Sequence, residues 1–568
     1  MARSAPAGTP LGDTFHVYDT TLRDGAQREG ISYSVADKLA VARHLDAIGV
    51  GFIEGGWPGA MPKDTEFFAR AASGELNLRH AALVAFGSTR KAGVRADADP
   101  QVRALLDSQA PVVTLVAKSD RRHIERALRT DVAENRAMVA DTVALLRAEG
   151  RRVFLDAEHF FDGYAYDPDT ALGVLDAAVT AGADVAVLCD TNGGMLPLGI
   201  AEVVTEVAAR TGFRLGIHCQ DDTGCAVANS VSAVQAGATH VQCTANGYGE
   251  RAGNADLFAV LGNLMIKLDM AVLPDGALAE LTHTSHALAE IANIAPNTHQ
   301  AYVGASAFAH KAGLHASAIK VDPELYNHMD PEVVGNGQRV LVTEMAGRAS
   351  VELKAGELGL DLTGHPEVVS SVVATVKDRE AEGWSFEAAD ASLELIMRDA
   401  LRPEPPPFAV ESYRVITERR ADGAVVAEAT VRLVVDGTRV LATEEGNGPV
   451  HALDAALRSA LRGHLPWLDH VELSDYKVRI LNAGDGPGGT GAVTRVLLDT
   501  TVNETGADSV DAGLLDGREG KSGDRGGSWS TVGVHENVVE ASWLALVDAL
   551  LYASIHRRQG AFAGSATR

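Results

Sequence analysis

The sequence DTTLRDG at residues 19–25 directly follows the apolar run FHVY at residues 15–18. We expect the apolar run to be a buried first strand that ends in a turn closed by Gly25. Arg23 and Asp24 then stand at the carboxyl end of this strand. Two further polar clusters follow apolar runs downstream, IHCQDD at 217–222 and NGYGERAGN at 246–254. Polar donors at the ends of several strands are typical of a site at the mouth of a parallel barrel.

Short apolar runs alternate with stretches of helical period from residue 15 to about residue 270. Eight strand–helix units within about 255 residues predict an α/β fold, a (β/α)8 or TIM barrel. A doubly wound open sheet is the alternative, although such a sheet rarely has eight equal units. The predicted strands are His16–Tyr18, Gly51–Glu54, Ala81–Phe86, Val112–Ala117, Val153–Asp156, Val185–Cys189, Arg214–His218 and His240–Cys243.

The rest of the chain predicts further domains. We assign residues 1–13 to a disordered tail, 14–274 to the catalytic barrel, 275–400 to helical linker subdomains and 401–408 to a proline-rich linker. Residues 409–560 are expected to form an α+β domain, in which a unit of strands followed by a helix occurs twice. Within it, residues 503–528 are rich in Gly, Asp and Ser and are expected to be disordered.

Composition excludes several classes of function. The formal net charge of −26 argues against nucleic acid as a partner, because phosphate binding depends on clustered cations. The same charge opposes anionic substrates at long range, so such a ligand needs a local cation or a metal. The sequence has no apolar run long enough to predict a membrane span, and residues 1–12 do not resemble a signal peptide. The four cysteines have no paired spacing, which favours a reducing, cytoplasmic location.

Three strand-end residues could together hold a metal ion. Asp24, His218 and Asn254 offer a carboxylate, an imidazole and an amide oxygen. This mixture of donors suits Mg²⁺, Mn²⁺ or Zn²⁺ with open positions for a substrate. The residues alone leave an alternative open, in which each side chain only caps a strand-to-helix turn.

Several motifs resemble the family of isopropylmalate, homocitrate and citramalate synthases. They are DTTLRDG at 19–25, HxxxDxG from His218 with AVANS at 226–230, and NGYGERAGN at 246–254. The carboxyl-terminal signature of the family is similar to GNGPV at 446–450, TVGV at 531–534 and EASW at 540–543. The resemblance covers nearly the whole chain after residue 14. It implies a Claisen-type condensation of acetyl-CoA with a 2-keto acid, followed by hydrolysis of the thioester.

The resemblance also implies roles for individual residues. Asp24, His218 and Asn254 match the ligands of a divalent metal, and Arg23 matches the group that stabilises the alkoxide. The remaining matches are Thr191 for binding the substrate carboxylate, Glu158 as a catalytic-site glutamate, and His315 with Tyr326 in the linker subdomain. In the family this subdomain reaches into the barrel of the partner, so a homodimer with His315 acting across it is expected.

One position departs from the family pattern. The family usually has His-x-His at the strand that carries His218, and both imidazoles bind the metal, whereas this chain has Gln220 at the second position. A glutamine carbonyl suits a hard cation but is a poorer donor to Zn²⁺ than an imidazole. We expect Gln220 to stay a metal ligand and Mg²⁺ or Mn²⁺ to be preferred over Zn²⁺. The alternative is a metal-weakened or non-catalytic, amino-acid-sensing relative.

The substrate prediction rests on finer resemblance. GGWPGA at 55–60 and LDAEHFFDGY at 155–164 resemble the citramalate branch of the family, which uses pyruvate in threonine-independent isoleucine biosynthesis. The alternative is the isopropylmalate branch, which uses 2-ketoisovalerate in leucine biosynthesis. A related hydroxymethylglutaryl-CoA lyase would not need the long carboxyl-terminal domain. That domain resembles the regulatory dimerisation domain of the family, so isoleucine is the expected effector, or leucine if the substrate is 2-ketoisovalerate.

Overall fold

The structure is a computed structural model that describes residues 12–311, 313–402, 405–481, 491–502 and 528–563. Its first part is a closed barrel of eight parallel strands in chain order, in which the last strand pairs with the first. The (β/α)8 prediction is therefore confirmed, and the open doubly wound sheet is wrong. The strands are His16–Asp19 (β1), Phe52–Gly56 (β2), Ala82–Ser88 (β3), Val112–Lys118 (β4), Arg152–Glu158 (β5), Val185–Asp190 (β6), Leu215–Cys219 (β7) and His240–Cys243 (β8).

Helices surround this barrel. They are Val35–Ala47 (α1), Pro62–Arg70 (α2), Pro100–Asp107 (α3), Arg121–Arg126 (α4), Val132–Ala148 (α5), Phe160–Tyr166 (α6), Pro168–Thr180 (α7), Pro197–Thr211 (α8), Ala226–Gln235 (α9), Leu257–Gly262 (α10) and Leu281–Ile291 (α11).

Strict alternation fails after β4 and β5, because two helices follow each of these strands. After β4, the Asp120 carboxylate accepts from the backbone amide of Arg122 and starts α4, and Asp131 caps α5 in the same way. After β5, Pro168 has no backbone N–H, so it separates α6 from α7 and occupies the first position of α7. The extra helices lengthen the loops on the side of the barrel where these strands end.

Aromatic rings fill the centre of the barrel. The ring of Phe52 lies 5.2 Å from that of Phe154 and 6.2 Å from that of Tyr18, and the ring of Phe154 lies 5.2 Å from His240. The interior is thus a packed core rather than a channel. Ligands can reach only the side chains that lie above it, at the carboxyl ends of the strands.

The chain divides into two compact units. One contains the residues up to Phe308 together with Met329–Gly337, and the other contains Ala309–His328 and the residues from Gln338 onward. Helices of the second unit are Gly313–Val321 (α12), Arg348–Glu357 (α13), Pro366–Ala381 (α14), Asp390–Leu401 (α15), Pro449–Leu461 (α16) and Val538–Ala563 (α17). Its strands are Ala309–His310 (β9), Arg339–Val340 (β10), Phe408–Arg419 (β11), Val425–Val435 (β12), Thr438–Gly446 (β13), Val471–Ile480 (β14), Thr494–Val502 (β15) and Ser528–His535 (β16).

The second unit contains the duplication expected from the sequence. Strands β11, β12 and β13 form one antiparallel sheet followed by α16, and β14, β15 and β16 form another followed by α17. Alternate residues of β12 are buried, as expected for a sheet with one face on a core. The predicted helical stretch before these sheets is also present, as α13, α14 and α15.

Some expectations cannot be followed in the structure. Disorder was expected for residues 1–13 and 503–528, of which residues 1–11 and 503–527 lie outside the described ranges. Gly12–Thr14 form a 3-10 helical turn and Ser528 begins β16, so the expectation is wrong for these end residues. Within the described residues, one helix segment, Val538–His556 of α17, is long and apolar enough to cross a membrane by length and composition. Half of that segment is buried inside the protein.

Candidate active site

Four polar side chains meet at the mouth of the barrel. Asp24 follows β1, His218 is in β7, Gln220 follows β7, and Asn254 follows β8. A backbone bridge pairs Gln220 with Asn254, so the segments after β7 and β8 lie side by side. His218 Nε2 lies 3.5 Å from Asp24 Oδ2, and Asn254 Nδ2 donates to Asp24 Oδ1 at 3.3 Å. The nitrogen of the Gln220 amide lies 3.4 Å from His218 Nε2. The predicted cluster is therefore assembled, including the residue that departs from the family pattern.

The two amides leave oxygen atoms without partners. Gln220 Oε1 and Asn254 Oδ1 are buried, and neither has a hydrogen-bond donor among the described residues. A buried acceptor without a partner is costly, so such an atom in a native structure calls for an explanation. A bound cation would supply one.

The donors fit a hard or borderline divalent cation. Together they offer carboxylate, imidazole and two amide oxygens, a set that suits Mg²⁺ or Mn²⁺ and serves Zn²⁺ less well. Among the described residues, no three His, Cys, Asp or Glu side chains group as a metal site. This agrees with the cluster, because it has only Asp24 and His218 of those types and completes its set with amides.

The charge state of Asp24 favours a cation. Burial alone would raise the pKa of this carboxyl, but the charge of Arg23, assisted by His218 and by donors from Asn254 and Gln220, lowers it below the ordinary value. Asp24 is therefore ionised at neutral pH although it is only 5% exposed. A buried carboxylate that stays charged is a strong ligand for a divalent metal.

Arg23 is held beside this cluster by a residue to which the sequence analysis gave no role. Its Nε donates to Glu54 Oε1 at 2.5 Å, and its terminal nitrogen donates to Asp24 Oδ2 at 3.1 Å. The guanidinium also lies 3.9 Å from the centre of the Phe86 ring. Burial would lower the pKa of Arg23, but Glu54 and Asp24 raise it above its ordinary value, so the cation is permanent.

Glu54 is itself fully buried in β2. Its carboxylate accepts from Thr20 Oγ1 at 2.6 Å and from the Tyr18 hydroxyl, as well as from Arg23. The only signal in the sequence is a glutamate at the end of the apolar segment GFIE at residues 51–54. A charged residue in a buried strand requires a partner of opposite charge, and that partner is Arg23.

A second layer of polar residues lies below these four side chains, Asp24, His218, Gln220 and Asn254. His218 Nδ1 is 2.9 Å from Gln242 Oε1, and Gln242 Nε2 donates to Asp156 Oδ1 at 2.8 Å. Burial, and then the nearby charge of Glu54, raise the pKa of Asp156 to about 8, against the opposing effects of Arg23 and Gln242. Neither residue has a role that the sequence alone predicts.

Thr191 and Glu158 line the same cavity as Arg23 and Asp24. This cavity has a volume of about 600 Å³, and Trp57 and Phe86 form part of its wall. Thr191 Oγ1 accepts from the backbone amide of His159 at 2.8 Å, so its hydroxyl proton is left to donate. Glu158 forms an ion pair with Lys118. Both residues therefore line the cavity that Asp24 and Gln220 also line, and their roles stay predictions.

His315 and Tyr326 belong to the second compact unit. Their rings stack at 4.1 Å, and the ring of His310 lies 6.2 Å from that of His315. Tyr326 is 41% exposed. The two residues thus form a pair that is accessible from solvent, and their catalytic roles stay predictions.

Comparison with protein families identifies three matching segments. Residues 14–294 match the HMGL-like family, and residues 302–383 match the homocitrate synthase post-HMGL domain-like family. Residues 387–554 match the LeuA allosteric (dimerisation) domain.

Similar curated proteins agree with these matches. An (R)-citramalate synthase of Streptomyces coelicolor is 61% identical over 96% of this chain and 98% of its own length. An (R)-citramalate synthase of Synechocystis is 46% identical over 94% of this chain and 95% of its own. A 2-isopropylmalate synthase of Carboxydothermus hydrogenoformans is 30% identical over 83% of this chain and 89% of its own. The chain therefore belongs to the citramalate synthases, acyltransferases of the wider family that includes the isopropylmalate synthases.

Proposed function

We propose that the barrel mouth joins acetyl-CoA to pyruvate and that hydrolysis of the thioester then gives (R)-citramalate and CoA. The observation that carries this proposal is the position of Arg23, which lies 3.1 Å from Asp24 beside two buried, unpartnered amide oxygens. The identity of 61% to a citramalate synthase supports pyruvate over 2-ketoisovalerate as the keto acid. The product would serve the threonine-independent synthesis of isoleucine.

Asp24, His218, Gln220 and Asn254 would hold a divalent cation. When bound, this cation would polarise the carbonyl group of the keto acid as a Lewis acid. Mn²⁺ and Mg²⁺ fit three oxygen donors and one nitrogen better than Zn²⁺ does. The amide at position 220 also argues against a non-catalytic relative, because its oxygen is buried at the cluster rather than paired elsewhere among the described residues.

Arg23 supplies the fixed positive charge of the site. Carbon–carbon bond formation turns the keto oxygen of pyruvate into an alkoxide, and a cation already in place stabilises it without reorganisation. Glu54 holds the guanidinium through Nε, and the Phe86 ring lies against it, so its orientation does not depend on the substrate. The net charge of −26 makes this local cation necessary for an anionic keto acid.

Thr191 and Glu158 would act on the two substrates. The Thr191 hydroxyl retains a proton to donate to the carboxylate of the keto acid. Glu158 would act as a catalytic carboxylate of the condensation, and its ion pair with Lys118 orients it.

His315 and Tyr326 would complete the site in a homodimer. We propose that His315 helps to remove a proton from the methyl group of acetyl-CoA or to activate water for thioester hydrolysis. Stacking of its ring on Tyr326 at 4.1 Å limits the rotation of the imidazole. The match of residues 387–554 to a dimerisation domain supports a dimer.

The duplicated sheets would form the regulatory domain. The match of residues 387–554 to an allosteric domain supports binding of an end-product amino acid, and isoleucine follows from the proposed reaction. We also propose that the catalytic barrel ends at residue 274, the linker subdomains at residue 400 and the proline-rich linker at residue 408. A cytoplasmic location is part of the same proposal.

A thiol-release assay with acetyl-CoA and a panel of 2-keto acids tests the reaction. We expect kcat/KM to be highest for pyruvate, at least about 10-fold above 2-ketoisovalerate, because two extra methyl groups change selectivity by about 1–3 kcal/mol. The control is acetyl-CoA alone, which should release thiol only slowly. A higher kcat/KM for 2-ketoisovalerate would make leucine synthesis the function instead.

In the same assay isoleucine should inhibit, and no response to any branched amino acid would leave the domain with dimerisation alone.

Replacing Arg23 by lysine should lower kcat by about 100-fold, because lysine keeps the charge but loses the planar fork that Glu54 and Asp24 orient. The metal affinity of the variant should stay within a few-fold of the parent. Arg70→Lys, at a half-buried position at the end of α2, is the matched control and should keep full activity. Activity of Arg23→Lys within threefold of the parent would contradict the proposed role.

Metal preference can be measured after removal of bound metal with a chelator. Mn²⁺ or Mg²⁺ should restore more activity than Zn²⁺, and Gln220→His should shift the preference toward Zn²⁺, since imidazole is the better donor to that ion. Gln27→His, which adds an imidazole to the same cavity outside the cluster, should not change the order of the metals. Better restoration by Zn²⁺ in the unchanged chain would show that the proposed preference is wrong.

A further inference from the structure

Five polar side chains form a continuous column through the interior of the barrel. We name Asp13, His16, His240, Gln242 and His218 the polar column. His16 Nε2 lies 3.1 Å from Asp13 Oδ1, and His16 Nδ1 lies 3.2 Å from His240 Nδ1. Gln242 Nε2 lies 3.4 Å from His240 Nε2, and Gln242 Oε1 lies 2.9 Å from His218 Nδ1. The column starts at Asp13, which precedes β1, and ends at a proposed metal ligand.

The barrel register brings these residues together. His16 of β1 is directly opposite His240 of β8, and His218 of β7 is directly opposite Gln242. His240 and Gln242 are two residues apart in one strand, so both point to the same face. Four members of the column are at most 6% exposed. Their hydrogen bonds are therefore not exchanged with water.

The orientation of the Gln242 amide is determined by its neighbours. The amide nitrogen has two protons, and it contacts two acceptors, Asp156 Oδ1 at 2.8 Å and His240 Nε2 at 3.4 Å. Asp156 Oδ1 can accept when the carboxyl is ionised. It can also accept when the carboxyl is protonated, provided that the proton is on Oδ2. The single amide oxygen then faces His218 Nδ1, which must donate.

The other end of the column imposes the same direction. Burial lowers the pKa of His16 to about 4 and that of His240 well below the ordinary value, so each ring carries one N–H at neutral pH. Asp13 Oδ1 can only accept, so His16 carries its proton on Nε2 and accepts from His240 at Nδ1. His240 Nε2 is then free of a proton and accepts from Gln242.

A nearby arginine could favour the opposite direction. A terminal nitrogen of Arg152 lies 3.4 Å from His16 Nε2, but the same side chain is only 2.7 Å from Asp13 Oδ1. Reversing the column would also remove the proton from His16 Nε2, which would leave two acceptors, this nitrogen and Asp13 Oδ1, facing each other at 3.1 Å. The direction from His218 toward Asp13 therefore satisfies more of the polar atoms.

We propose that Gln242 is a positioning residue that holds His218 as the Nδ1–H tautomer, so that Nε2 presents its lone pair beside Asp24 and Gln220. His240 supports this role by fixing the Gln242 amide. The inference rests on the metal site of the proposed function. Metal-bound histidines commonly donate their second ring N–H to a neighbouring group, and loss of that group weakens metal binding about 10- to 100-fold.

The test is calorimetric titration of the full-length, metal-free protein with Mn²⁺, without substrates. Gln242→Leu removes the acceptor and should raise the dissociation constant about 10- to 100-fold. Gln242→Glu keeps an acceptor for His218 Nδ1–H and should recover most of the affinity. His240→Leu, which removes only the support, should show a smaller loss.

The matched control is Asn229→Leu in α9, which replaces another fully buried amide, whose nitrogen donates to the backbone of Met195. Asn229→Leu should bind Mn²⁺ as the parent does. Its thermal unfolding midpoint without metal should be similar to that of Gln242→Leu, so that the two variants differ in metal binding and not in stability. Binding by folded Gln242→Leu within twofold of the parent would overturn the inference and leave the metal site intact. No binding of Mn²⁺ by the parent would instead overturn the metal site of the proposed function.

Discussion

The ion pair between Arg23 and Glu54 is the contact on which the barrel mouth depends. Glu54 is completely buried, and its carboxylate accepts from Arg23, Thr20 and Tyr18. An isolated buried carboxylate would be expensive, and so would an isolated buried guanidinium, so each is tolerated because of the other. The pair leaves a terminal nitrogen of Arg23 able to donate to Asp24. A permanent cation and a carboxylate that stays ionised in a buried place therefore exist together before any ligand arrives.

The barrel could be predicted from the sequence because one unit, an apolar run followed by a helical stretch, is repeated along the chain. Eight apolar runs followed by helical periods leave few alternatives, and the polar residues after those runs collect at one end of a closed parallel barrel. Asp24, His218 and Asn254 could be grouped for that reason, whereas Gln220 joined them through the resemblance to the family. The two helices after β4 and the two after β5 were not predicted. A cap such as Asp120 starts an extra helix within one connection, and the alternation of apolar runs with helical stretches stays the same.

The supporting residues could not be predicted in the same way. Glu54, Asp156 and Gln242 each lie inside a strand, where a single polar residue among apolar ones carries no information about its partner. Their partners are distant in sequence, for example Gln242 and Asp156 across 86 residues, and only closure of the barrel brings them together. The resemblance to a family indicated which residues are expected to meet the substrate. It did not indicate which residues orient them.

The central claim is that Asp24, His218, Gln220 and Asn254 hold one divalent cation. Crystals grown with Mn²⁺ can test it directly by an anomalous difference map recorded at the manganese absorption edge. The account predicts one peak among the four side chains, with His218 Nε2, Gln220 Oε1 and Asn254 Oδ1 each about 2.0–2.4 Å from it. Absence of a peak at this cluster, or a peak from which the Gln220 oxygen is turned away, would contradict the account.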